Sequence, residues 1–168
     1  MIKFNGIFYL GQSVVYPSHG VGTINSEERS TFAGIELSVY VVSFKEMSME
    51  LKIPKHLAIK NGLRPLTDSN LFEKAMDILS GKKIALDNSM WSKRVKTYMG
   101  KLNSGDVIAI STVLKELYPN LGNPDRSFSE KTIFNDALGR LSSEYALTHN
   151  IKDKDAREYI SNKLSSFC

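Results

Sequence analysis

Apolar residues in the first third of the chain come in short runs rich in Val, Ile, Tyr and Phe, at residues 8–17, 21–25, 35–44 and 49–54. Turn-forming residues separate them: Pro17-Ser18-His19-Gly20, Ala33-Gly34 and the polar step Lys45-Glu46. Runs of this length bounded by Gly, Pro and polar residues predict strands. Val39-Tyr40-Val41-Val42-Ser43-Phe44 is almost continuously apolar, as expected of a strand covered on both faces. Four or five strands in so short a stretch fit a small, strongly bent sheet or barrel. Such a body has room for a core but hardly for a deep catalytic pocket.

Beyond Pro65 the spacing changes to that of helices. Asp68 or Ser69 can cap a first helix carrying Leu71, Phe72, Ala75, Met76 and Leu79 and ended by Gly81. Asn88 or Ser89 opens a second, with Trp91, Val95, Tyr98, Met99 and Leu102 as its stripe. A third runs from Asp106 through Val107, Ile110, Val113, Leu114 and Leu117 to a stop at Pro119. Ser127 and Glu130 have the spacing of a capping box for a fourth, with Phe134, Leu138, Leu141 and Tyr145 on one face. The fifth starts near Asp153 and is expected to bury Tyr159, Ile160 and Leu164. Strands first and helices afterwards predict an α+β chain of two domains in series, residues 1–66 and 67–168.

Charge adds a location to this picture. Residues 1–68 carry seven Lys/Arg against six Asp/Glu, and residues 69–168 carry 15 against 12. The window 82–101 alone holds Lys82, Lys83, Lys93, Arg94, Lys96 and Lys101 against Asp87. A basic patch on a nearly neutral body points either to a polyanionic partner at one place or to a solvated lysine face. The single cysteine, Cys168, is the last residue. It offers no disulfide framework and no cysteine metal site, which fits a reducing cytoplasm. No apolar stretch approaches the ~20 residues of a membrane span, and the first residues lack the apolar core of a signal peptide.

Candidate catalytic chemistry is sparse. The three histidines, His19, His56 and His149, are scattered without metal-ligand spacing. Gly20-Val21-Gly22 lies between strands and lacks the following helix that a dinucleotide site needs. There is no nucleophile elbow, and Glu27 and Glu28, adjacent on a strand, point to opposite faces. No cofactor, metal, small-molecule ligand or enzymatic activity is expected.

The segment M-W-S-K-R-V-K-T-Y-M-G-K-L-N-S-G-D-V holds the only Trp and most of the excess positive charge. Periodicity puts Trp91 on the apolar stripe, which reads as core. Its place in the first turn, flanked by Lys93, Arg94 and Lys96, tempers that reading, since this is the make-up of an apolar wedge beside a phosphate clamp.

Several motifs together resemble the CarD/CdnL family of bacterial transcription regulators. They are G-Q-S-V-V-Y-P-S-H-G-V-G-T-I near the start, Y-V-V-S-F and L-K-I-P after it, and W-S-K-R-x-K followed by K-L-x-S-G-D-V. They occur in order between residues 8 and 117. V-V-Y-P-x-H-G-V-G alone would also fit the polymerase-binding module of transcription-repair coupling factors. The resemblance implies a Tudor-like β barrel that docks on the RNA polymerase β subunit by pairing edge strands, followed by an all-α bundle of about five helices. It places Lys52, before the I-P step, in the polymerase contact. A second basic contact falls near Arg29, with Ser30 at the matching register position. It makes Trp91 a wedge at the upstream edge of the transcription bubble, approached from the minor groove, with Lys93, Arg94 and Lys96 on phosphates. The implied role is non-enzymatic: stabilising the open promoter complex, without reading sequence, in the cytoplasm and at the nucleoid through polymerase. A polymerase- or protein-binding adaptor that never touches DNA is the alternative.

Overall fold

The apolar run at residues 39–44 forms the inner part of β3 (Ile35–Phe44), where Val39, Tyr40, Val41 and Val42 are all buried. Both faces of this strand are covered, which is why its sequence does not alternate. Around it the computed structural model, which describes residues 6–82, 84, 89–120 and 128–166, places β1 (Ser13–Tyr16), β2 (Gly20–Phe32), β4 (Met49–Pro54) and β5 (Arg64–Pro65). Every pair is antiparallel, in the order β4-β3-β2-β1-β5. Among the described residues β4 and β5 are therefore the edges, and they end in Pro54 and Pro65.

Two devices bend this sheet. The β2–β3 register slips between Ile24 and Ser26, leaving Asn25 as an extra residue that sharpens the local twist. At Gly22 a side chain has no room: a Cβ there would stand 2.7 Å from Val42 and 2.8 Å from Phe44. The strands enclose Phe8, Val14, Ile24, Tyr40, Val42, Phe44, Ile53, Ala58 and Leu63. The stretch 8–17 is only partly strand. Phe8 is buried, Tyr9 and Leu10 are exposed, and pairing begins at Ser13. The β2–β3 hairpin turns through Ala33 and Gly34, both at positive φ (49° and 81°), as the twist of a two-residue loop demands.

The chain divides into two compact units, Met1–Leu66 and Thr67–Cys168. The second contains α1 (Ser69–Ser80), α2 (Trp91–Asn103), α3 (Val107–Leu117), α4 (Phe128–His149) and α5 (Asp153–Ser165), so the chain is α+β. Asp68 caps α1 by accepting from the Leu71 N–H at 2.9 Å, and Asp106 caps α3 by accepting from Ile108 at 2.9 Å. The most apolar helix, α3, buries Val107, Ile110, Val113, Leu114 and Leu117 against α1, α2 and α4. Its Lys115 is also buried, and donates to the Leu79 carbonyl in the last turn of α1. α4 stops at a left-handed Asn150 (φ 53°), with Ile151 N–H donating to Ala146 and Asn150 N–H to Leu147. These are the two bonds of a Schellman motif.

The expected stripes fill this core with a few departures. Tyr159 does not enter it but stays 39% exposed, stacked on Tyr145 at 5.4 Å, while Ala156, Ile160 and Leu164 are buried. Leu71 and Met99 lie at the rim. Ser127 and Asn88, expected as helix-opening residues, lie outside the described residues.

Candidate nucleic-acid interface

α2 begins without the usual chemistry of a helix start. Its N-cap, Met90, has no side chain that accepts from the first turn, and that turn contains no acidic residue. Three cations follow instead. Positive charge near a helix N-terminus opposes the helix dipole, and uncapped N–H groups there attract anions. The local sequence therefore favours an external negative charge at this end of α2.

The side chains divide into two sets. Lys93 and Lys96 are exposed and ion-pair with no described residue. Arg94 turns inward: its Cζ lies 5.1 Å from the Trp91 ring centre, and Nη2 is 3.8 Å from Oε1 of Glu130 on α4. Lys101, further along, is engaged by Glu116 at 3.0 Å. Trp91 is half-buried, packing one part of the indole on the helical core while the rest meets solvent. The indole is thus neither sealed inside the core nor detached from it. Behind it, Tyr98 and Leu102 are fully buried and anchor α2. Burial, with the Glu116 charge adding to it, holds the Tyr98 phenol above its ordinary pKa.

Sequence reasoning passed over two exposed apolar residues at the starts of the helices that carry these side chains. Met90 is 78% exposed immediately before Trp91, and Phe128 is 86% exposed at the start of α4, the helix that carries Glu130. Both stand outside the helical stripes. For Met90, an apolar residue off the stripe and next to the basic run was the signal available; the sequence around Phe128 carried none.

In the β unit, Lys52 sits on edge strand β4 opposite Val41, which itself pairs with Ser26 of β2. Its ammonium donates to Glu28 Oε2 at 2.8 Å. That hydrogen bond, followed by one from Ser26, holds the Glu28 carboxyl below the ordinary range. Lys55 makes the companion pair with Glu27 at 2.7 Å, and its pKa is raised by it. Arg29 is exposed opposite Ser38. Alternation along β2 puts Ser26, Glu28 and Ser30 on the Lys52 face and Arg29 on the other. The structure therefore does not gather Lys52 and Arg29 on one face.

Elsewhere, a notch between α1, α4 and α5 is lined by Glu73, Met76, Asp77, Tyr145, His149, Tyr159 and Lys163. No group of three metal-binding side chains occurs among the described residues. No helix among them is long and apolar enough to cross a membrane.

Comparison with known proteins covers both units. Residues 74–161 match the family model described as CarD, C-terminal domain, and residues 8–67 match that described as CarD-like/TRCF RID domain. The Bacillus subtilis (strain 168) protein named "Putative transcription factor YdeB" is 26% identical over 154 residues, spanning 91% of this chain and 99% of that one.

Proposed function

We propose, from the premise that this chain belongs to the CarD family of transcription regulators, that it grips RNA polymerase with its β unit and steadies melted promoter DNA with its helical unit. The observation that carries the DNA half is Trp91: a half-buried indole at the start of a helix whose N-cap, Met90, supplies no side-chain acceptor, beside exposed Lys93 and Lys96. One part of the ring is held by the core, so the remainder is presented rigidly. A rigid apolar surface can occupy the gap where duplex stacking ends, and this disfavours reannealing. Unstacking a step costs a few kcal/mol, and an offset of about 1.4 kcal/mol already shifts the open–closed balance tenfold.

The cations supply attraction that is blind to sequence. If Lys93 and Lys96 each met one phosphate, raising salt from 50 to 200 mM would weaken the DNA term about 12-fold. So weak a DNA grip works only if another contact keeps the protein near the promoter. The open edge of β4, with Lys52 on it, fits that task, since an edge strand can be extended by a strand of the polymerase β subunit. Arg29 lies on the opposite face and is assigned a peripheral part. The regulator works without cofactor or metal in this scheme, and acts where its polymerase is, in the cytoplasm and at the nucleoid.

The test is open-complex lifetime on promoter DNA with Trp91→Ala. The variant is expected to bind polymerase as the parent does and to shorten the lifetime about tenfold. Equal lifetimes, with the fold intact, would leave the adaptor reading. The packing of Trp91 on the helical core is what favours that second reading.

A further inference from the structure

We propose that Arg94 is not a phosphate ligand but the seat of the indole, and that Glu130 is the positioning residue that keeps it there. The inference rests on Trp91 being the DNA-contacting group. Its own basis is the arrangement of three side chains from two helices.

The Arg94 guanidinium lies 5.1 Å from the Trp91 ring centre, within cation–π range. Its Nε is buried and has no hydrogen-bond partner, so this edge of the group faces protein and not water. Its far end, Nη2, is 3.8 Å from Glu130, whose carboxylate belongs to a residue only 7% exposed. A guanidinium placed this way is largely committed. Swinging it out to a phosphate would remove the ring's cation and take a positive neighbour from a nearly buried carboxylate. Lys93 and Lys96 carry no such commitments.

The division of labour follows from chemistry. Arg has a flat face that can lie under an aromatic ring while its edge points at a carboxylate, and Lys cannot do both. Of the three basic positions in the motif, the Arg is the one placed to stack. Glu130 fixes the guanidinium, the guanidinium fixes the ring, and the ring meets the DNA. Phosphate attraction is left to the two exposed lysines.

The experiment uses the full-length protein with polymerase and promoter DNA, comparing Glu130→Gln, Arg94→Gln, Lys96→Gln and Trp91→Ala. Glu130→Gln and Arg94→Gln should each shorten open-complex lifetime roughly two- to fivefold, the range expected for loss of one cation–π contact. Neither should add to Trp91→Ala, because both act through the ring. Lys96→Gln should lower the slope of log affinity against log salt by about 0.9, and Arg94→Gln should leave it unchanged. Trp91 is the only Trp, so its emission and quenching in the free protein should also change in Glu130→Gln at constant helix content. Additive lifetimes, or a slope drop of about 0.9 for Arg94→Gln, would overturn the assignment. If Glu130→Gln fails to fold, the Arg94→Gln slope and its pairing with Trp91→Ala still decide the matter. If Trp91→Ala itself has no effect on lifetime, the DNA reading fails; unchanged indole emission in Glu130→Gln sinks the seat alone.

Discussion

Lys52 shows how one side chain can be both held and offered. Its ammonium donates to Glu28 at 2.8 Å, and both groups are near half exposed, so the pair adds little to stability in water. Its consequence is a titration. Glu28 is pulled below the ordinary carboxylate range chiefly by the Lys52 hydrogen bond. A depressed folded-state pKa contributes stability above the unfolded-state value and loses it as pH falls through the folded one. Carboxyl NMR should therefore show Glu28 titrating in acid below an ordinary Glu, with Lys52→Met moving the midpoint back up. A midpoint indifferent to Lys52 would mean that the pair does not persist in solution. At the same scale, the direction of Arg94 was beyond the reach of sequence. Periodicity assigns a Cα to a helix face, but a long side chain can carry its charged end back across the rim.

Among the elements, the best-read segments were those whose burial is uniform or strictly periodic. β3 is apolar throughout because both its faces are covered, and α3 repeats its apolar positions because its stripe meets three helices. The apolar run of β2 stops at Asn25 and sequence reading carried the strand no further than Glu27-Glu28, yet it continues through Arg-Ser-Thr to Phe32. That half is exposed, and it is strand because it pairs with β3 through a tight turn, a long-range condition that local hydropathy does not record. The same register puts Arg29 and Lys52 on opposite faces, which spacing along the chain could not reveal. Helix ends were more legible where side chains do the capping, as at Asp68 and Asp106. The close of α4 depends on a residue that tolerates left-handed backbone, Asn150 at φ 53°. Asn150→Ala should cost about 1 kcal/mol in urea unfolding, the penalty of placing a Cβ without a compensating polar group in that conformation. A change near zero would mean that the Schellman bonds alone fix this end.

For the whole molecule, the proposed function needs both units in one chain. A weak, salt-sensitive DNA contact becomes effective when a second contact raises its local concentration, and it loses that advantage when the tether is cut. Lys52→Glu should therefore impair polymerase binding first. It should also abolish the effect on open-complex lifetime, although Trp91 and its surroundings are untouched. Pull-down with the polymerase β subunit checks the first outcome and lifetime measurement the second. Docking that survives the charge reversal would relocate the polymerase contact to another part of the sheet.

The two sheet edges carry a further consequence. A strand edge able to accept a partner's strand is equally able to accept that of a neighbouring identical chain, the first step of aggregation. Here β4 carries a charged residue in mid-strand and closes on Pro54, and β5 includes Pro65. Proline withholds a backbone donor, and a lysine penalises stacking against its own copy. Free protein in excess of its binding site is thereby kept from linking sheet to sheet. Replacing Lys52 with an apolar residue would remove a solubility safeguard together with the proposed docking contact.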